Sequence, residues 1–150
     1  MITKEFASQR MISHLLYRSE TQSPSITLDD FDILETSWTN NNATGITGYL
    51  LRAKNSYFQW LEGSDAAVQH VMQRIVKDNR HSGVKIIYEA QGQYRFFGNW
   101  LMGFSDIEQD DLPHIALLDN HRPDPIQIRD LMLTKVKERP SLLSRNNVQP

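Results

Sequence analysis

The chain of 150 residues contains no cysteine, which excludes disulfide bonds and thiolate metal sites and agrees with a reducing compartment. Its seven glycines are scattered singly, so no glycine-rich phosphate loop follows a strand. No apolar run approaches the ~18 residues that a membrane span needs, and the first residues lack the apolar core of a signal peptide. We therefore expect a soluble cytoplasmic protein with no membrane partner.

The chain also lacks an excess of charge of either sign, with a formal net charge of −2 and a pI near 6.2. Nucleic-acid binding would require a clustered basic face, so no nucleic acid is expected as a partner. The five histidines have no metal-ligand spacing, and neither an HExxH motif nor a Ser/His/Asp arrangement is present. These absences predict a protein that is not an enzyme and holds no metal.

Alternating apolar patterns predict five strands, at residues 12–19, 46–51, 57–62, 84–90 and 96–104. A first helix is predicted over 28–40, capped by Thr27 and stopped by the asparagine run and Gly45. Ser64 or Asp65 caps a second helix that ends near Asp78. Its apolar stripe consists of Ala67, Val68, Val71, Met72, Ile75 and Val76. The polar RAKNS stretch at 52–56 is typical of a hairpin loop.

The order β-α-β-β-α-β, followed by one more strand, predicts an α+β fold of the ferredoxin-like, split βαβ type. Both helices then cover one face of the sheet, and two C-terminal helices at 110–118 and 125–137 cover the other. Their apolar positions are Leu112, Ile115, Ala116, Leu131, Met132 and Val136. We expect one domain at 11–105, a helical cap at 106–139 and a flexible tail at 140–150.

Several polar or unusual residues lie where a sheet core normally holds carbon. Tyr17 and Gln59 are in mid-strand, Asn41 is at a helix end, and Trp100 and Met102 are predicted to share a face of the last strand. A buried amide left without partners costs about 1–3 kcal/mol, so Gln59 must be hydrogen-bonded. Each residue alone has an ordinary explanation in packing or capping. A functional interpretation therefore depends on all five residues occurring together in one small sheet.

Five stretches, in order along residues 11–105, resemble the BLUF domain, a blue-light sensor that uses a flavin. They are LLYRS, ILETSWTNNNATGITGYLL, YFQWLEG, VMQRIVKDNRH and RFFGNWLMGF. The resemblance implies an isoalloxazine ring held between the two helices, over the ferredoxin-like sheet. FAD is the expected cofactor, with FMN and riboflavin as alternatives.

The resemblance also implies residue roles. Tyr17 is expected to be the light-driven electron and proton donor, and Gln59 the switching amide beside flavin N5 and the C4 carbonyl. Trp100 and Met102 match a pair that relays the change to the sheet edge. The expected cofactor-binding set is Ser37, Asn40, Asn41, Gln59, Arg74, Asp78, Arg80 and His81. In this set Asn41 bonds the pyrimidine edge of the ring, and Arg74 lies near the flavin side chain and phosphates.

One position departs from the family pattern, because Asn40 stands where some members carry histidine or arginine. The sequence contains no segment typical of a cyclase, phosphodiesterase or DNA-binding domain. Output is therefore expected through a homo-oligomer or an unidentified downstream partner.

Three other interpretations stay open: an acylphosphatase-like hydrolase, a module that binds a partner through its sheet edge, and a flavin-binding scaffold without light output. The hydrolase would need a phosphate cradle after the first strand, which Arg18 and the TQSPS loop supply only weakly.

Overall fold

The computed structural model describes residues 11–21, 44–79, 82–98, 100–107, 118 and 122–138. Its elements, in chain order, are β1 (Ile12–Glu20), β2 (Thr47–Ala53), β3 (Ser56–Gly63), α1 (Asp65–Lys77), β4 (Ser82–Gly92), β5 (Gly103–Asp106) and α2 (Pro125–Glu138). One five-stranded sheet has the order β4-β1-β3-β2-β5. β1 pairs with β3 and β4, and β2 with β3, all antiparallel, whereas β5 runs parallel to β2.

This strand order confirms the predicted ferredoxin-like α+β fold, since β3 lies between β1 and β2, and β1 lies between β3 and β4. The first predicted helix, over 28–40, lies outside the described residues. Just beyond it, Thr44 is helical and Gly45 has a φ of 75°. Glycine tolerates this left-handed conformation, which is common directly after a helix.

The hairpin between β2 and β3 is tighter than the predicted loop over 52–56. Only Lys54 and Asn55 form the turn, and Lys54 has a φ of 53°. The prediction is wrong for Arg52, which belongs to β2 and is completely buried. A two-residue turn extends both strands to its edges, so polar residues of the stretch become strand residues.

Helix α1 begins as predicted, because Ser64 caps it by accepting a hydrogen bond from the Ala67 amide at 3.2 Å. Val68, Val71 and Met72 are its buried residues, and Asp78 is the C-cap. The prediction is wrong for Val76, which is 64% exposed. At 100° per residue, Val76 lies about 80° around the helix from Val68, beyond the face that meets the sheet.

The sheet has two apolar faces, named here the α1 face and the α2 face after the helix that covers each. The α1-face cluster consists of Leu15, Tyr17, Ile46, Leu50, Tyr57, Leu61, Val68, Val71, Met72 and Met102. The α2-face cluster consists of Leu16, Tyr49, Leu51, Ala53, Phe58, Trp60, Phe97, Trp100, Ile107, Leu118, Ile128, Leu131 and Met132.

The α2-face cluster confirms that a helix starting at Pro125 covers this side of the sheet. Of the helix predicted over 110–118, only Leu118 is among the described residues, and it is buried in the same cluster. Burial of the aromatic side chains in this cluster contributes to the stability of the fold.

The last predicted strand, over 96–104, is wrong over most of its length, since β5 is Gly103–Asp106. The backbone amides of Phe96 and Phe97 donate to the Glu62 side chain instead of to a neighbouring strand. The irregular backbone also turns Trp100 and Met102 to opposite faces of the sheet. The prediction that these two residues share a face is therefore wrong.

Gly48 is bonded to this irregular segment and lies very close to β3. Its amide donates to the Trp100 carbonyl at 3.0 Å. A Cβ atom at Gly48 would lie 1.8 Å from the backbone oxygen of Trp60, which is far inside contact distance. Any side chain at position 48 would therefore displace backbone rather than a flexible side chain.

We predict that Gly48→Ala lowers the free energy of unfolding by about 2–3 kcal/mol, because the added methyl group forces β2 and β3 apart. Gly98→Ala is the matched control, since its Cβ would meet the Arg95 Cβ at an ordinary 3.6 Å. Urea denaturation monitored by circular dichroism measures both. Equal stability of the two variants would contradict the close approach.

Candidate functional site

Tyr17 and Gln59 meet at the centre of the α1 face. Antiparallel pairing of β1 with β3 places them directly opposite each other, and both are buried. The Tyr17 hydroxyl donates to Gln59 Oε1 in a short hydrogen bond. The two mid-strand polar residues thus satisfy each other, as buried polar groups require.

Met102 completes a three-residue group. Gln59 Nε2 donates to Met102 Sδ at 3.3 Å, and Met102 is fully buried. A thioether is a weak acceptor, and a primary amide carries two N–H groups. Gln59 therefore keeps a second N–H with which it can donate to a ligand on this face.

Burial raises the pKa of the Tyr17 hydroxyl well above its ordinary value, and the nearby negative charge of Asp78 raises this pKa further. Both effects disfavour a charged phenolate. Tyr17 is thus a neutral phenol throughout the physiological pH range, with its proton directed at Gln59. This is the protonation state that a proton donor requires.

A second buried tyrosine on the same face, Tyr57, has a different environment. Arg52 Nη1 donates to the Tyr57 hydroxyl at 3.0 Å, and the guanidinium carbon lies 5.3 Å from the ring centroid. A positive charge next to the ring opposes removal of an electron from it. This pair is not among the residues predicted from the sequence, because the polar stretch at 52–56 predicts a loop for Arg52. The apolar residues flanking Arg52 are the signal that could have placed it in a strand.

Trp100 is not part of this group. It lies on the α2 face, where its ring meets Tyr49 edge-on with centroids 6.4 Å apart. The Tyr49 ring leaves no room for a side chain at Gly103, whose Cβ would lie 2.4 Å from it. The sheet therefore separates Trp100 from Tyr17 and Gln59.

The other expected cofactor residues are only partly described. Arg74 is exposed in the last turn of α1, and Asp78 follows as the partly buried C-cap. Ser37, Asn40, Asn41, Arg80 and His81 lie outside the described residues. The structure thus describes the sheet and α1 sides of the expected site.

Within the described ranges, no cluster of three or more His, Asp or Glu residues is suited to a metal ion. In the same part of the chain, neither helix is both long enough and apolar enough to cross a membrane.

Solved structures with similar folds include BlrB and BlrP1. BlrB, described as a BLUF protein in its dark state, matches with a TM-score of 0.73 and 23% identity, over 85% of this chain and 98% of that chain. Klebsiella pneumoniae BlrP1 with FMN and cyclic diGMP matches with a TM-score of 0.61 and 27% identity, over 83% of this chain and 34% of that chain.

Among curated proteins, the photoactivated adenylate cyclase subunit beta of Euglena gracilis is 34% identical over 86 residues, 57% of this chain. The match spans 10% of that much longer protein. Residues 12–103 match the family described as sensors of blue-light using FAD. This match covers more than half of the chain, and the chain therefore belongs to the BLUF family.

Proposed function

We propose that this protein is a blue-light photoreceptor in which Tyr17, Gln59 and Met102 surround a bound, oxidised flavin. The observation that carries the proposal is the shared amide of Gln59. Its oxygen accepts from Tyr17, and its nitrogen donates to Met102. A rotation or tautomerisation of this one group exchanges donors and acceptors without moving the backbone.

The residues of the α1 face fit a flavin. Leu15, Leu61 and Met72 provide an apolar surface beside Tyr17 and Gln59, which suits a planar aromatic ring. The second N–H of Gln59 suits an acceptor such as a ring nitrogen or carbonyl oxygen.

A bound flavin supplies blue-light absorption and, when excited, a one-electron oxidant. With a flavin bound, Tyr17 would be placed to supply it with an electron. The phenolic proton would pass to Gln59 Oε1, with which Tyr17 is already hydrogen-bonded, while the amide nitrogen would release an N–H proton to the acceptor that it faces. Return of the electron and of a proton would restore Tyr17 and leave the Gln59 amide in its alternative arrangement. The product is a changed hydrogen-bond pattern rather than a released molecule.

The neighbours of Tyr17 and Tyr57 favour Tyr17 as the electron donor. Tyr17 faces an amide oxygen and lies near the negative charge of Asp78, which favours loss of an electron. Tyr57 accepts from the cationic Arg52, which opposes that loss. Tyr17 is therefore the electron donor even though both rings lie on one face.

We propose FAD as the cofactor, supported by the family description. FMN is the alternative, since it occurs in the BlrP1 structure. Exposed Arg74 at the end of α1 is suited to phosphate or ribityl oxygens, since a guanidinium donates several charge-assisted hydrogen bonds. Ser37, Asn40, Asn41, Asp78, Arg80 and His81 are proposed to complete the cofactor site.

We further propose that the signal leaves through the segment before β5 and helix α2. The guanidinium carbon of Arg129 in α2 lies 4.4 Å from the centroid of the Phe96 ring, so α2 contacts the segment that leads to Met102. The proposed receiver is a second copy or a downstream protein in the cytoplasm, and the sensor itself is not an enzyme.

We predict that the flavin-loaded protein shows a small, reversible red shift of the flavin band under blue light, because Gln59 donates more strongly to the ring in its alternative arrangement. Absorption spectra before illumination, after it and after dark recovery measure the shift. A purified protein that binds no flavin would refute the photoreceptor altogether. A loaded protein without a reversible shift would instead leave a flavin-binding scaffold.

We predict that Gln59→Leu retains flavin but abolishes the red-shifted state, since leucine has a similar volume and no hydrogen-bonding group. Gln73→Leu is the control, because Gln73 is exposed on α1 and the same substitution there leaves the group intact. Flavin content and light-minus-dark spectra measure both variants. A normal shift in Gln59→Leu would remove Gln59 from the mechanism.

We predict that illumination changes hydrogen exchange at Trp100–Met102 amides, in β5 and in α2, while amides of α1 near Ser64 keep their protection. The reason is that Met102 leads directly into β5, which packs beside α2. Mass spectrometry of dark and illuminated samples measures this difference. Equal protection in both states, with a normal red shift, would show that the signal leaves by another route.

A further inference from the structure

Glu62 forms a second buried polar centre, on the α2 face. Its carboxylate is fully buried and accepts four hydrogen bonds. Oε1 accepts from the Phe97 amide at 2.5 Å and the Thr47 hydroxyl at 3.2 Å. Oε2 accepts from the Phe96 amide at 2.9 Å and Trp60 Nε1 at 3.2 Å. Charge-assisted bonds of this kind are among the stronger ones in proteins.

Arg95 and His14 add further contacts between residues 94–97 and the strands next to Glu62. Arg95 Nη1 donates to Thr47 Oγ1 at 2.8 Å and to the Glu62 carbonyl oxygen at 3.2 Å. His14 Nε2 lies 2.9 Å from the Tyr94 carbonyl oxygen and 3.5 Å from Glu62 Oε2. The end of β3 is thus fastened to residues 94–97 by both side chains and backbone.

Residues 95–102 are consequently held at two ends. At one end the Glu62 carboxylate binds the Phe96 and Phe97 amides. At the other end the Gly48 amide donates to the Trp100 carbonyl oxygen, and β5 begins at Gly103. Met102 lies at the second end, with Sδ against Gln59 Nε2. The contact on the α1 face therefore depends on a segment whose other end is fixed on the α2 face.

We propose that Glu62 is a positioning residue of the photoswitch, which holds the 95–102 segment so that Met102 stays on Gln59 in the dark. The inference rests on the proposed function and names a further determinant of it. Without the carboxylate, the Phe96 and Phe97 amides lose their acceptor, and this end of the segment keeps only the Arg95 and His14 contacts. The dark arrangement then loses stabilisation relative to the illuminated one, and its return slows.

Glutamine at position 62 cannot replace the carboxylate. An amide has a single oxygen, and its NH₂ group would face N–H donors at the other position. At least one of the Phe96, Phe97 and Trp60 donors then loses its acceptor while buried. The substitution keeps the volume and shape of the side chain, so the hydrogen bonds are what it changes.

The test compares wild type with Glu62→Gln. A second variant, Arg95→Ala, removes the hydrogen bonds that the partly exposed Arg95 makes between residues 94–97 and the end of β3. Gln93→Ala is the control, because Gln93 is exposed in the same connection. One readout is the NMR chemical shift of the Met102 methyl group in dark, flavin-loaded protein. The other is the rate of dark recovery after blue light, measured also in a Met102→Leu background.

We expect Glu62→Gln to move the Met102 methyl resonance and to slow dark recovery by about fivefold or more, as a loss near 1 kcal/mol implies. In the Met102→Leu background the same substitution should change the rate by no more than about twofold, since the Met102 thioether that Glu62 is proposed to position is absent. A lower melting temperature with an unchanged methyl resonance and rate would overturn the proposal and leave Glu62 a purely structural residue.

If Glu62→Gln does not fold or load flavin, the same two outcomes for Arg95→Ala decide the question. A wild-type protein without a red shift would refute the photoswitch. The dark-state methyl resonance would still show whether Glu62 positions Met102, so the two failures are distinguishable.

Discussion

A single buried amide must divide its oxygen and nitrogen among several partners, and most of the site follows from that constraint. Gln59 accepts a hydrogen bond from Tyr17 through its oxygen and donates one N–H to Met102. The first contact depends on the antiparallel register of β1 and β3, and the second on the chain before β5. The group is therefore built from three parts of the chain far apart in sequence, and only the folded sheet assembles it.

Strand β3 serves both faces of the sheet because successive side chains alternate. Gln59 belongs to the α1 face, whereas Trp60 and Glu62 belong to the α2 face. The strand thus carries a group suited to rearrangement on one side and a multiply bonded carboxylate on the other. In the proposed photoswitch, Gln59 rearranges while Glu62, three residues further along the strand, keeps its hydrogen bonds.

Much of the fold could be predicted because its signals are local. Period-two and period-3.6 patterns located four strands and both described helices, and mid-strand polarity singled out Tyr17 and Gln59. The apolar run from Phe96 to Phe104 led to a wrong strand prediction. Its Phe96 and Phe97 amides bind a carboxylate more than thirty residues away, and no local pattern indicates such a contact. Arg52 was missed for a different reason, since the polar stretch at 52–56 predicts a loop, whereas the two-residue turn leaves Arg52 within β2.

The placement of two tryptophans has a consequence for the efficiency of the proposed photochemistry. Indole rings lose an electron more readily than neutral phenols, so a tryptophan beside the chromophore would compete with the tyrosine. Trp60 and Trp100, the tryptophans within the described residues, both lie on the α2 face. The sheet lies between these two rings and the α1 face, so in the proposed mechanism neither of them competes with Tyr17 as a neighbour of the flavin.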